Sequence, residues 1–138
     1  MDRNESEGTK KLFALAGPVL ATLMGGTILV IDELDARLHP FITCQIIRLF
    51  NSNQTNPRHA QLVFTTQDTN LLSNRTFRRD QIWFTEKTQY GATRLYSLAE
   101  YNLPVRNDAS FERDYIQGKY GAVPFIGDLS RLFEVADE

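Results

Sequence analysis

Apolar residues near the start of the chain follow a helical pattern. Between Leu12 and Leu23 they recur at intervals of three and four residues, which places Leu12, Leu15, Ala16, Val19, Leu20 and Leu23 on one face. A stripe of this kind is typical of a helix that faces a core. Pro18 removes one main-chain hydrogen bond, so we expect a kink near Gly17. The pair Gly25-Gly26 predicts the end of the helix.

Two short apolar runs follow with the composition of buried strands. Thr27 to Ile31 is unbroken and β-branched, as in a strand that is buried on both faces of a parallel sheet. Gln61 to Thr66 has the same character, and an apolar stripe between Pro40 and Phe50 predicts a helix between the two runs. Strand, helix and strand in this order predict a right-handed βαβ unit.

The remaining elements are shorter. The sequence predicts a β-hairpin from Gln81–Thr85 and Thr93–Leu98, joined near Tyr90-Gly91. It also predicts short helices at 68–74, 108–117 and 128–135. We therefore expect an α/β fold with a parallel βαβ core, helices on its faces, and a C-terminal β-hairpin with short helices. We expect residues 1–138 to form a single domain.

An acidic pair, Asp32 and Glu33, directly follows the first predicted strand. Ligands of open α/β sheets bind at the carboxyl ends of the strands, so this position suits chemistry. Turn and helix-capping residues are also often acidic. The following segment, LDARLHP, leads into the next helix with Pro40 in its first turn, where a missing N–H costs nothing.

The tripeptide Ser6-Glu7-Gly8 opens the first predicted helix. Ser6 is a typical helix N-cap. A helix N-terminus with a hydroxyl and a glycine is also a ready site for an anion, because main-chain N–H groups point outward there. The residues alone leave both interpretations open.

In combination, these segments resemble motifs of ABC-type ATPases. The strand with Asp32 and Glu33 resembles a Walker B motif, LDARLHP resembles the D-loop, and Ser6-Glu7-Gly8 resembles the signature that precedes them. Thr66-Gln67-Asp68 stands where that family has Thr-His-Asp or a similar triplet. The whole chain is similar to the C-terminal part of bacterial AAA-family ATP-binding proteins of the abortive-infection, phage-defence group, including DTNLLSN, RRDQIWF and YIQGKYGAVPFI. That group is related to chromosome-maintenance ATPases.

The resemblance implies a fold and a cofactor. The fold is the C-terminal lobe of a P-loop NTPase-like domain, and the substrate and cofactor are ATP and Mg²⁺. Asp32 would hold Mg²⁺ and Glu33 would polarise the attacking water. Gln67 would take the place of the histidine that reaches the γ-phosphate, but an amide carries no positive charge. We therefore expect slow hydrolysis.

The resemblance also implies a second nucleotide-binding surface. Ser6 and Gly8 would contact the γ-phosphate of an ATP held mainly by a partner, which is either a second copy or another ATPase chain. Asp35 and His39 lie in the D-loop, which contacts that partner, although His39 is equally suited to cap the next helix. The 138 residues contain no GxxxxGK[ST] motif, so we expect no ATP turnover by this chain alone.

Composition narrows the cellular setting. The net charge of −2 gives no general attraction to DNA or RNA, although such a partner is left open. The single cysteine, Cys44, permits no disulfide framework and favours a reducing cytoplasm, where it serves as a small hydrophobic residue. No apolar run reaches membrane-spanning length, and no signal-peptide pattern is found.

Two other functions compete with the ATPase lobe. One is a non-catalytic interaction module that kept the ATPase fold, a hypothesis favoured by Gln67 and by the missing phosphate-binding motif. The other is a metal-dependent nuclease, because clustered carboxylates also bind pairs of Mg²⁺ ions. Its candidate ligands are Asp32, Glu33, Asp35 and Asp68. The nuclease leaves the Ser-x-Gly helix unexplained.

Overall fold

The computed structural model describes residues 5–88, 90–101 and 110–123. It divides the chain into two compact units, an N-terminal unit up to Leu71 and a C-terminal unit from Leu72. The expectation of a single domain stays a prediction. The helix predicted at 128–135 lies outside the described residues, as does the start of the one predicted at 108–117.

The N-terminal unit opens with helix α1, Glu7–Gly25. Ser6 is the N-cap of the helix, and its Oγ accepts a hydrogen bond from the Thr9 N–H at 3.1 Å. The helix continues through Pro18. It ends at Gly26, which has a φ of 65°. A Cβ atom at Gly26 would also lie 2.7 Å from the Arg58 carbonyl oxygen. Both facts require glycine at the turn into the first strand.

Strands β1, Ile28–Ile31, and β2, Gln61–Phe64, pair in parallel, with Ile28 opposite Gln61 and Ile31 opposite Phe64. Helix α2, Pro40–Asn51, connects them. The predicted order of strand, helix and parallel strand is therefore confirmed. A short 3₁₀ turn at Thr69–Leu71 replaces the helix predicted at 68–74.

The sheet is not buried on both faces as predicted. Ile28, Val30 and Val63 are 62%, 72% and 54% exposed. The alternate residues of both strands, Leu29, Ile31, Leu62 and Phe64, are half-buried. Because successive side chains of a strand point to opposite faces, the described elements cover only one face of this sheet.

Helix α2 begins as the sequence predicted. His39 is its N-cap and Pro40 occupies the first turn. The sequence predicted a buried stripe of Ile42, Ile46, Leu49 and Phe50. The buried face differs slightly, because it consists of Thr43, Ile46, Ile47 and Phe50. Cys44 is half-buried and has a free thiol.

The C-terminal unit is built on the predicted hairpin. Strands β3, Trp83–Lys87, and β4, Thr93–Ser97, pair antiparallel. The first strand starts two residues later than predicted because Arg79–Gln81 forms a 3₁₀ turn. Two further short helices are a 3₁₀ turn at Leu98–Glu100 and helix α3 at Phe111–Ile116.

An aromatic cluster fills the core of this unit. The Phe84 ring stacks on those of Tyr115 and Tyr120, with centroids 5.4 and 5.7 Å apart. Tyr96 and Tyr101 pack beside them. Aliphatic side chains of Ile82 and Leu98 complete the cluster. In the ranges described above, none of the helices combines the length and apolar character needed to cross a membrane.

Candidate active site

The carboxyl ends of β1 and β2 bring Asp32, Glu33 and Thr65 together. The Thr65 N–H donates to the Ile31 carbonyl at 3.1 Å, which extends the ladder one residue past β2. The Thr65 hydroxyl donates to Asp32 Oδ1 at 2.5 Å and accepts from the Glu33 N–H at 2.8 Å. The acidic pair is thus held against the end of the neighbouring strand, where ligands of parallel sheets bind.

Glu33 has an unusual backbone. Its φ of 49° lies in the left-handed region, which a residue with a Cβ enters at a cost. Its carbonyl accepts a hydrogen bond from Lys11 Nζ at 2.7 Å. Both polar groups of the Glu33 backbone therefore have partners outside the β ladder, and the side chain is free to face solvent.

Gln67 lies beside Glu33, as the position of both residues after paired strands suggests. Gln67 Nε2 donates to Glu33 Oε1 at 3.4 Å, a long and therefore weak hydrogen bond. Both side chains are exposed. The side chains of the two predicted catalytic residues therefore lie next to each other and are accessible to solvent.

Ser6 and Gly8 stand in the first turn of α1, which contacts the turn that follows β1. A Cβ atom at Gly8 would lie 2.7 Å from the Arg37 carbonyl oxygen, so glycine is needed for this close approach. The Arg37 guanidinium pairs with Glu7 at 3.0 Å. Lys10 first, and then Arg37, hold the pKa of the exposed Glu7 carboxyl below its usual value. The structure thus gives Ser6 and Gly8 structural roles, and their contact with a nucleotide stays a prediction.

The turn between β1 and α2 holds the other two candidates. His39 Nδ1 accepts a hydrogen bond from the Phe41 N–H at 3.2 Å, which confirms the capping interpretation of His39. Asp35 accepts from the Leu38 N–H through its carbonyl at 3.0 Å, and its buried Oδ1 atom has no hydrogen-bond partner among the described residues. The turn is anchored by Leu34, which is fully buried.

The acidic pair suits Mg²⁺ better than a metal held by protein ligands alone. Mg²⁺ commonly uses one or two carboxylates together with waters and substrate phosphates. Asp32 offers an exposed carboxylate with one oxygen oriented by Thr65. Among the described residues, no group of three or more His, Cys, Asp and Glu side chains is arranged to hold a metal ion. The nuclease hypothesis stays a prediction.

Sequence reasoning missed two residues of this site, Thr65 and Lys11. The sequence did carry a signal for Thr65: it is the first polar residue after the apolar run that ends at Phe64, as Asp32 is after Ile31, and the observed pairing of Ile31 with Phe64 makes the two positions equivalent. A polar residue directly after each of two parallel strands indicates a shared site. For Lys11 the sequence held no such signal, because its contact depends on how α1 lies against the turn after β1.

A comparison with protein families gives a match over the N-terminal part of the chain. The family model described as "AAA domain, putative AbiEii toxin, Type IV TA system" matches residues 3–73, slightly more than half of the chain. The matched range contains the acidic pair, Thr65 and Gln67. Neither a curated protein nor a solved structure matches the chain.

Proposed function

Because the chain belongs to this AAA-domain family, we propose that its N-terminal unit is the Walker B lobe of an ABC-type ATPase. The family description places such domains in a toxin–antitoxin setting, and we propose a role in bacterial phage defence by abortive infection. One observation carries the proposal: Asp32 and Glu33 leave the carboxyl end of β1 and are tied to the end of β2 through Thr65.

Each residue has a defined role in the proposed reaction. Asp32 would hold Mg²⁺, which when bound would neutralise negative charge on the phosphates of ATP. Glu33 accepts a proton from the attacking water. The water oxygen forms a bond to the γ-phosphorus, and the bond from that phosphorus to the β–γ bridging oxygen breaks, so that ADP and phosphate are the products.

Gln67 supports the same reaction with less electrostatic strength. Its amide donates to Glu33 and is available to donate to a phosphate oxygen. Hydrogen bonds from a charged donor are roughly twice as strong as those from a neutral one. We therefore propose slow hydrolysis, with Gln67 in the position that a histidine holds in related ATPases.

The phosphates need a second component. The 138 residues contain no GxxxxGK[ST] motif, so we propose that a phosphate-binding loop comes from further sequence or from another chain. The exposed apolar residues Ile28, Val30 and Val63 support this, because parallel sheets are normally covered on both faces. In the assembled enzyme, Ser6 and Gly8 of one copy would face the nucleotide of its partner.

The test uses the ATPase assembled with its phosphate-binding loop. Glu33→Gln should lower turnover by about 10² to 10⁴-fold, the usual effect of a positioned general base, while ATP binding persists. Asp32→Asn should instead weaken Mg²⁺-dependent nucleotide binding. Asp80→Asn is the matched control, because it neutralises an exposed carboxylate of the C-terminal unit that pairs with Arg78. Steady-state turnover and equilibrium nucleotide binding are measured for all variants.

Two results would contradict the proposal. Unchanged turnover in both Glu33→Gln and Asp32→Asn would make the acidic pair structural and would favour the non-catalytic interaction module. Mg²⁺-dependent ATPase activity of the 138-residue chain alone, lost in Glu33→Gln, would remove the need for an external phosphate-binding loop.

A further inference from the structure

The Thr65 hydroxyl is shared by both members of the acidic pair. A hydroxyl has one hydrogen to donate and two lone pairs that accept. The Glu33 main-chain N–H can only donate, so Thr65 Oγ1 accepts at that contact of 2.8 Å. Its hydrogen is then committed to Asp32 Oδ1, 2.5 Å away. The direction of both bonds is therefore fixed by chemistry.

Thr65 is itself held firmly by its main chain. Its N–H donates to the Ile31 carbonyl at 3.1 Å, and its carbonyl accepts from the Leu34 N–H at 3.0 Å. Together with the two side-chain bonds, four hydrogen bonds fix the residue between the ends of β1 and β2. A β-branched side chain also has few χ1 rotamers. The hydroxyl is thus presented to Asp32 from a rigid position.

This arrangement has two consequences for the acidic pair. One oxygen of Asp32 accepts from the hydroxyl, which leaves the other oxygen of this exposed carboxylate available to a cation. The Glu33 N–H, next to a backbone with a φ of 49°, gains a partner that the β ladder does not supply. The positive φ of Glu33 has a cost, and the hydrogen bond from its N–H to Thr65 favours this conformation over others that lack the contact.

We propose that Thr65 is a positioning residue that orients the Asp32 carboxylate for a divalent cation and holds Glu33 beside it. The role rests on the proposed Mg²⁺ site at Asp32. Residues that hydrogen-bond metal-binding side chains commonly change metal affinity by about 10 to 100-fold when they are replaced. Thr65 is exposed, so water partly replaces a lost hydroxyl, and we expect an effect of about tenfold.

The experiment titrates the purified 138-residue chain with Mn²⁺ alone, as a paramagnetic substitute for Mg²⁺. Main-chain amide signals at 32–35 and 65–67 should broaden with increasing Mn²⁺, which reports weak binding residue by residue. Excess Mg²⁺ should reverse the broadening. Thr65→Val, which keeps the shape and removes the hydroxyl, should need about ten times more Mn²⁺, while Thr65→Ser should behave like the unmodified chain.

Controls separate this role from a general effect on the fold. Thr66→Val removes the neighbouring hydroxyl, which accepts from the Asp68 N–H at 3.0 Å, and should leave Mn²⁺ binding unchanged. Hydrogen exchange at the Glu33 amide should become faster in Thr65→Val and stay slow in Thr65→Ser. If valine disturbs the strand pairing, Thr65→Ala provides the same comparison.

The outcomes distinguish the two proposals. Broadening that is absent from the unmodified chain, or that persists in Asp32→Asn, overturns the proposed metal site itself. Broadening that depends on Asp32 but is equal in Thr65→Val and the unmodified chain overturns only the role of Thr65. Weak binding in both Thr65→Val and Thr65→Ser also overturns it, because the shape of the side chain would then matter instead of its hydroxyl.

Discussion

The two units of the chain differ in how completely their interior polar side chains are hydrogen-bonded. In the C-terminal unit, the hydroxyls of Tyr96 and Tyr101 donate to the Tyr120 carbonyl at 2.7 and 2.8 Å, and that of Tyr115 donates to the Ala122 carbonyl at 2.9 Å. In the N-terminal unit, by contrast, two buried oxygens, Asp35 Oδ1 and Thr43 Oγ1, have no hydrogen-bond partner within the described residues.

The sheets of the two units also differ, in whether an exposed face is usual for that type of sheet. The hairpin of the C-terminal unit exposes Trp83 and Leu95, but an antiparallel sheet commonly has one solvated face. The exposed face of the parallel β1–β2 sheet is unusual for its type. The N-terminal unit therefore exposes one face of its sheet and the carboxyl ends of β1 and β2. The acidic pair lies at these strand ends.

The contrast between the two units also affects which residues are assigned to the active site. Burial is the main cause that raises the pKa of Tyr96 and Tyr120 to about 12, helped by Tyr101 at the first and by Asp114 at the second. Perturbed pKa values often mark catalytic residues. Here they belong to tyrosines that bond to main-chain carbonyls or a neighbouring carboxylate in a packed core. We assign them a structural role.

The largest effect that tests this comparison is expected from Phe84→Ala. Phe84 is buried and stacks on two tyrosines, so its truncation should cost the C-terminal unit about 3–5 kcal/mol of its free energy of unfolding. Urea denaturation followed by fluorescence of Trp83, the single tryptophan, measures this cost. Thr85→Ala, at an exposed position of the same strand, is the control and should cost less than about 1 kcal/mol.

The same variant tests whether the units are independent. Amide hydrogen exchange of β1 and β2 should be nearly unchanged in Phe84→Ala if the two units unfold separately. An equal loss of protection in both sheets would contradict independent units and would support the single domain that the sequence predicted.

The second effect depends on pH and on the distribution of tyrosines. All five lie in the C-terminal unit, and the N-terminal unit has none. For Tyr96 and Tyr120 the folded pKa of about 12 exceeds the ordinary value of 10.0. Their contribution to stability is therefore fully present below pH 10 and is lost as pH rises toward 12, because the unfolded chain releases its protons first.

Between pH 10 and pH 12, each of these two tyrosines should lower the free energy of unfolding by up to about 1.4 kcal/mol per pH unit. Urea midpoints of the C-terminal unit at pH 9 and pH 11.5 test this, and Tyr96→Phe should reduce the difference between them. If the midpoint of the unmodified chain were the same at both pH values, the phenol pKa values would have to be close to their ordinary one.

The sequence predicted local structure better than burial. The end of α1 at Gly26, the start of α2 at Pro40 and the parallel pairing of β1 with β2 depend on local chemistry and strand composition, and all were predicted. The exposed faces of the sheets were not predicted, because an apolar run has the same sequence pattern whether or not another element covers it. The acidic pair was predicted by its place after β1, whereas its contacts with Thr65 and Lys11 are tertiary.

The smallest expected effect concerns the buried hydroxyl of Thr43. Its side chain is fully buried in α2, and in the part of the chain that the structure describes its hydroxyl has no hydrogen-bond partner. Valine has nearly the same shape and a similar helix propensity, so Thr43→Val removes the cost of burying the hydroxyl without creating a cavity. We expect the N-terminal unit to gain about 1 kcal/mol of stability, measured from hydrogen exchange of the slowest amides in β1 and β2.

A matched change at Thr55 should have the opposite sign. The Thr55 hydroxyl donates to the Leu49 carbonyl at 2.6 Å, so Thr55→Val should lose about 1 kcal/mol. Destabilisation by Thr43→Val would mean that its hydroxyl is satisfied in solution, for example by a buried water, which needs two or more polar partners. The contrast between the units would then depend only on the exposed face of the β1–β2 sheet and on Asp35. A buried threonine hydroxyl that has a hydrogen-bond partner does not destabilise the N-terminal unit.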